Sequence, residues 1–156
     1  MNPPQHPLEL LYNFRAISDG LATAGQPTEA QFSDIRSAGY EAVINLALPT
    51  SDNAIANEGS IVTRLGMSYF HIPVNFQNPT PQDFQTFCGL MNTLRNRRVF
   101  VHCAANMRVS AFVFLYRVLR LGVPRDEAER DLIAIWEPDE IWARFFREQL
   151  NQPRPT

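Results

Sequence analysis

Apolar positions along the chain follow two rhythms, one short and dense, the other spaced three and four apart. The run EAVINLAL (41–48) is branched, compact and stopped by Pro49, which predicts a buried strand. MSYFHIPV (67–74) alternates before a proline-rich loop, and RVFVH (98–102) is a third apolar run, so both read as strands. From Leu11 to about Gly25, LYNFRAISDGLATAGQ reads as two short extended pieces around the turn cluster Ser18-Asp19-Gly20. Between these runs the spacing changes. Thr28 and Gln31 have capping-box spacing, Phe32 and Ile35 share a face, and Gly39 suits a helix end, which predicts a helix over 29–38. Further helices are expected over 54–65, ending at Gly66, and from Thr80-Pro81 to about Leu94. Ser110 to Leu121 places Phe112, Leu115 and Leu119 together before Gly122, Pro124 opens another helix, and a last one runs from about Pro138 to Leu150. The helical spacing of Trp136, Trp142, Phe145 and Phe146 predicts core packing. Alternating strands and helices define an α/β class: a central mixed or parallel sheet of about 4–5 strands, covered by helices on both faces.

The length of 156 residues suits one domain, 1–156, with an ordered core at about 10–150 and loosely held ends at 1–7 and 151–156. All 14 basic residues are arginine. Without lysine, Schiff-base chemistry and a Walker-type phosphate loop are excluded. His6, His71, His102, Cys88 and Cys103 lack the paired spacing of a zinc site, so no metal and no cofactor is expected. Two cysteines fifteen apart form no disulfide framework. No signal-peptide pattern or membrane-length apolar run is visible, and a net charge of −2 gives no reason to expect nucleic acid or membrane partners. The chain reads as cytoplasmic, and its affinity for anions must be local.

The segment RRVFVHCAANMRVSAFVFLYRVLRLG carries the chemistry. A strand runs into Cys103, then a short turn, then an amphipathic helix beginning near Arg108 or Ser110. Backbone N–H groups of such a turn and of the first helical turn have no intrahelical partner and converge into an anion cradle. The same field favours the thiolate of Cys103, the nucleophilic form, and Arg108 adds a fork of donors for oxyanion oxygens. Cys88, midway along a predicted helix, reads as an inert core thiol. HCAANMRVSAF resembles the signature loop of the cysteine-dependent protein tyrosine and dual-specificity phosphatases, whose pattern is His-Cys, five residues, Arg, then Ser or Thr. GQPT (25–28), GYEAVINL (39–46) and LGMSYFHIPV (65–74) extend the resemblance to a bacterial phosphatase-like subgroup over roughly residues 10–150. The resemblance implies a protein tyrosine phosphatase-like fold and hydrolysis of a phosphate monoester through a phosphocysteine. It implies Cys103 as nucleophile and backbone amides of Ala104, Ala105, Asn106, Met107, Arg108 and Val109 around the phosphoryl oxygens. Ser110 would assist departure of the thiol, and His102 would orient the loop and support the thiolate. The partner would be a phosphorylated small molecule or phosphoprotein, or another oxyanion.

The chain departs from that pattern twice. Only four residues separate Cys103 from Arg108, and Val109 occupies the family's arginine position. Asn106 stands where glycine is usual, and Asn accepts a left-handed conformation. The family's general-acid Asp is absent from Asn75-Phe76-Gln77-Asn78, leaving Asp83 as the nearest candidate acid, and its place three after Thr80 fits better a first-turn residue complementing the helix dipole. Asp52, Glu58, Glu137 and Asp139 are weaker candidates. Two other functions follow from these departures. One is a phosphate-binding pseudophosphatase. The other is sulfur transfer, because four intervening residues resemble the rhodanese-type loop.

Overall fold

In a computed structural model, residues 6–152 are described. Five strands form one sheet in the order β1-β2-β5-β3-β4: β1 Arg15–Ser18, β2 Leu21–Ala24, β3 Ala42–Asn45, β4 Ser68–His71 and β5 Val99–His102. β1 pairs antiparallel with β2, and every other pairing is parallel, so the sheet is mixed as expected. β2, β3 and β5 are buried along their whole length, with one polar residue each, Thr23, Asn45 and His102, among apolar neighbours.

Six α-helices cover the sheet: α1 Glu29–Ser37, α2 Glu58–Arg64, α3 Pro81–Thr93, α4 Met107–Leu119, α5 Arg125–Ile133 and α6 Glu140–Leu150. A 3₁₀ turn at Pro7–Leu10, which the apolar pattern does not predict, takes in Pro7 of the end expected to be loosely held and buries Leu8 just beyond it. Alternation along the strands divides the core. Val99 and Val101 face a cluster that includes Phe84, Phe87, Phe112 and Trp142 from α3, α4 and α6. Phe100 faces the other cluster, with Phe32, Ile35, Ile61 and Val62 from α1 and α2. His102, two residues on, shares the Phe100 side, where Phe32 meets its ring edge-on at 6.0 Å.

Two helix starts differ from expectation. α2 begins at Glu58 instead of 54, because 48–57 folds as successive turns, with Ser51 N–H bonded to Leu48 O and Ala54 N–H to Ser51 O. α4 begins at Met107, three residues before Ser110, because Asn106 (φ 66°) turns the chain into the helix directly. α1 through α4 each start at the carboxyl end of a parallel strand, so their N-termini and connecting loops gather at one edge of the sheet.

Candidate active site

That edge holds the loop from Cys103 to Arg108. Its outward face is pinned by carbonyl contacts. Ala104 O accepts from the Gln26 backbone N–H (3.1 Å) and from Asn53 Nδ2 (3.1 Å), and Ala105 O accepts from Asn13 Nδ2 (3.0 Å). A trans peptide points its N–H opposite to its carbonyl, so the N–H groups of Ala105 and Asn106 face inward. Among the described residues, none of the six N–H groups from Ala104 to Val109 has a protein acceptor. The first turn of α4 thus presents its unpaired donors to the interior of the loop.

Asn106 locks this shape. Its Nδ2 donates to Asn13 O (2.8 Å) and Thr23 Oγ1 (3.1 Å), bonds that a glycine at this left-handed position would lack. Gly25 is required for a different reason: a Cβ there would sit 2.8 Å from Ala104 O and 2.6 Å from the Tyr12 ring.

Arg108 is the second residue of α4 and is 7% exposed. One guanidinium nitrogen, Nη1, donates to Val74 O (3.0 Å) in the loop after β4; the other donors have no protein partner, and no carboxylate pairs with the charge among the described residues. A buried, unpaired cation is costly unless an anion completes it. Cys103, five residues before Arg108 in sequence, is buried at the root of the loop. Cys88 is buried too, in α3, and burial pushes its thiol up to about 11, which keeps it unreactive.

The remaining expected site residues lie as follows. Ser110 donates its hydroxyl to Met107 O (3.0 Å) and accepts from Trp136 Nε1 (3.1 Å), so its proton is directed away from Cys103. Asp83 lies in the first turn of α3, where its backbone N–H takes the Thr80 cap (3.1 Å), and its carboxylate has no partner among the described residues. His102 is fully buried and lies 2.6 Å from Glu58 Oε2 through Nε2. This contact spans 44 residues of sequence. Sequence reading weighed Glu58 only as a weak general acid; its pairing is set by the side of the sheet that His102 shares with α2. Gln26 joins the pair, donating from Nε2 to Glu58 Oε1 at 2.7 Å. Burial alone would push the Glu58 carboxyl up. The bond and charge of His102, with Gln26 and Tyr69, outweigh that and hold it below the usual carboxylate range. His71 ends β4 and lies 2.6 Å from Ala47 O.

The family described as DSP-PTPase phosphatase fused to NAD+ kinase (PTP-NADK) matches residues 17–139, which include the whole cradle. The chain belongs to this family. Its fold is that of the protein tyrosine phosphatase-like proteins, as the resemblance implied. A proposed DUF442 phosphatase from Shewanella putrefaciens CN-32 is 33% identical; the superposition covers 92% of this chain and 94% of that one, with a TM-score of 0.83. TpbA from P. aeruginosa shares the fold at 15% identity, with a TM-score of 0.70 over 88% of this chain and 84% of that one. A Beta-lactamase hydrolase-like protein of Agrobacterium fabrum is 29% identical over 117 residues, which are 72% of this chain and 27% of that protein. The chain therefore spans about a quarter of that relative's length. No helix among the described residues is long and apolar enough to cross a membrane.

Proposed function

We propose that the chain hydrolyses a phosphate monoester through a phosphocysteine on Cys103. The observation that carries this reading is the buried Arg108 cation, paired with no carboxylate among the described residues, at the end of a loop that opens on Cys103 and whose six N–H groups from Ala104 to Val109 have no protein acceptor there. A phosphoryl group supplies the acceptor oxygens these donors lack. In the first step the Cys103 thiolate attacks phosphorus, the sulfur–phosphorus bond forms, and the ester oxygen departs with the bonding electrons and takes up a proton. Asp83 is the candidate donor for that proton. In the second step water attacks phosphorus, the sulfur–phosphorus bond breaks, and inorganic phosphate leaves the restored thiolate. The substrate is a phosphorylated small molecule or phosphoprotein. Acid quenching during turnover of an aryl phosphate is expected to leave a phosphoryl adduct on the Cys103 peptide. Tight oxyanion binding with neither adduct nor turnover would instead identify a pseudophosphatase. Arg108→Ala is expected to weaken phosphate binding by about 2 kcal/mol, measured by calorimetry, since it removes charge-assisted bonds. Unchanged affinity would mean that Arg108 serves Val74 alone.

A second reading rests on the four residues between Cys103 and Arg108. In sulfur transfer the Cys103 thiolate takes the outer sulfur of thiosulfate, the sulfur–sulfur bond of the donor breaks, and sulfite leaves with no general acid. A persulfide mass on the Cys103 peptide, with release of sulfite, would favour it over hydrolysis.

A further inference from the structure

Both ring nitrogens of His102, the residue before the nucleophile, face acceptors. Nε2 lies 2.6 Å from Glu58 Oε2, and Nδ1 lies 3.2 Å from the Cys103 carbonyl oxygen. A carbonyl oxygen and an ionised carboxylate only accept. Neutral imidazole has one N–H and imidazolium has two, so opposite an ionised Glu58 only the cation donates to both contacts. The ring is fully buried, and an imidazolium there needs a counter-ion equally withdrawn from water.

Glu58 meets that need. Its carboxylate is 3% exposed, and each oxygen is engaged by a different wall of the site: Oε2 by His102 of β5, Oε1 by Gln26 of the β2–α1 loop. Tyr69 of β4 faces the same carboxylate; its hydroxyl, pushed up to about 12 chiefly by burial, stays protonated and accepts from Asn45 Nδ2 at 3.1 Å. From α1 the Phe32 ring meets His102 edge-on. The backbone N–H of Gln26 holds Ala104 O, so the Glu58 clamp reaches the loop both through His102 and through Gln26.

We propose that Glu58 is a positioning residue for Cys103: it holds His102 as the imidazolium, whose charge favours the neighbouring thiolate, and it fixes the loop through Gln26. The proposal deepens the reading of Cys103 as nucleophile, and its test uses no phosphate ester.

Two measurements test it. In wild-type protein at about neutral pH, two-bond proton–nitrogen NMR of the His102 ring is expected to show both nitrogens protonated, and in Glu58→Gln only one. Alkylation of Cys103 by iodoacetamide, with Cys88 resolved by peptide mass, is expected to slow about tenfold near pH 6 in Glu58→Gln and to converge with wild type near pH 9. Glu58→Asp should recover part of the low-pH rate, which a packing role alone would not predict. A singly protonated ring in the wild type, or superposed alkylation profiles, would overturn the proposal. If Glu58→Gln does not fold, the wild-type spectrum alone decides. A chain that passes these tests but hydrolyses no ester would keep the Glu58 role and lose the hydrolase reading.

Discussion

Asn106 carries more of the site's geometry than its single polar side chain suggests. It takes φ 66°, caps α4 without a side-chain bond of its own to that helix, and spends its amide on Asn13 and Thr23. Asn106→Ala combines left-handed strain with two lost bonds and is expected to destabilise the fold by about 2 to 3 kcal/mol in urea unfolding. Asn106→Gly removes the strain and should recover about 1 kcal/mol of that loss while phosphate binding stays impaired. Equal losses in the two variants would mean that the backbone conformation contributes nothing. The turn from Cys103 to Arg108, with Asn106 left-handed before the helix, was legible because it lies within six consecutive residues, whereas the bonds of Asn106 to Asn13 and Thr23 were not. Glu58 was not legible as the partner of His102, because strand alternation and the placement of α2, far apart in sequence, bring them together.

At the scale of elements, α4 is the axis of the molecule, with residues 108–117 all buried. Its burial on every side, Arg117 included, hides the amphipathic signal by which its start was sought. The helix is therefore read one to three residues late, from Arg108 or Ser110, while α1, with a complete capping box, is read almost to the residue. Arg117 meets Asp131 of α5 at 2.6 Å, and the same carboxylate holds Arg15 of β1 at 2.8 Å, so one side chain joins three elements. Asp131→Ala strands the largely buried Arg117 and is expected to cost on the order of 2 kcal/mol by urea unfolding. Glu140→Ala breaks the exposed pair with Arg147 and should change stability little, so similar losses from the two would show that burial of Arg117 is unimportant.

Charge across the whole molecule is sorted by the fold. The segments bordering the cradle, 25–29, 46–57, 73–83 and 134–140, carry Glu29, Asp52, Asp83, Glu137, Asp139 and Glu140 and no arginine. The opposite end, where α1 to α4 finish, carries Arg36, Arg64, Arg95, Arg97, Arg98 and Arg120 against Asp19 and Glu41, the latter 3.8 Å from Arg97. A net charge of −2 conceals this polarity, because the formal sum has no position in it. The acidic rim repels anions at long range while Arg108 and the amides bind them at contact. Raising ionic strength is thus expected to increase kcat/KM for a simple aryl phosphate and to lower it for a phosphopeptide flanked by arginines; the same salt response for both would contradict the charge map. The central claim is that Cys103 performs nucleophilic hydrolysis in this cradle. It is tested most directly by steady-state hydrolysis of an activated aryl phosphate, whose good leaving group lessens the need for a general acid, by wild type and Cys103→Ser. The wild type is expected to turn over and the variant to show nothing above background; equal rates in the two would mean that Cys103 is not the nucleophile.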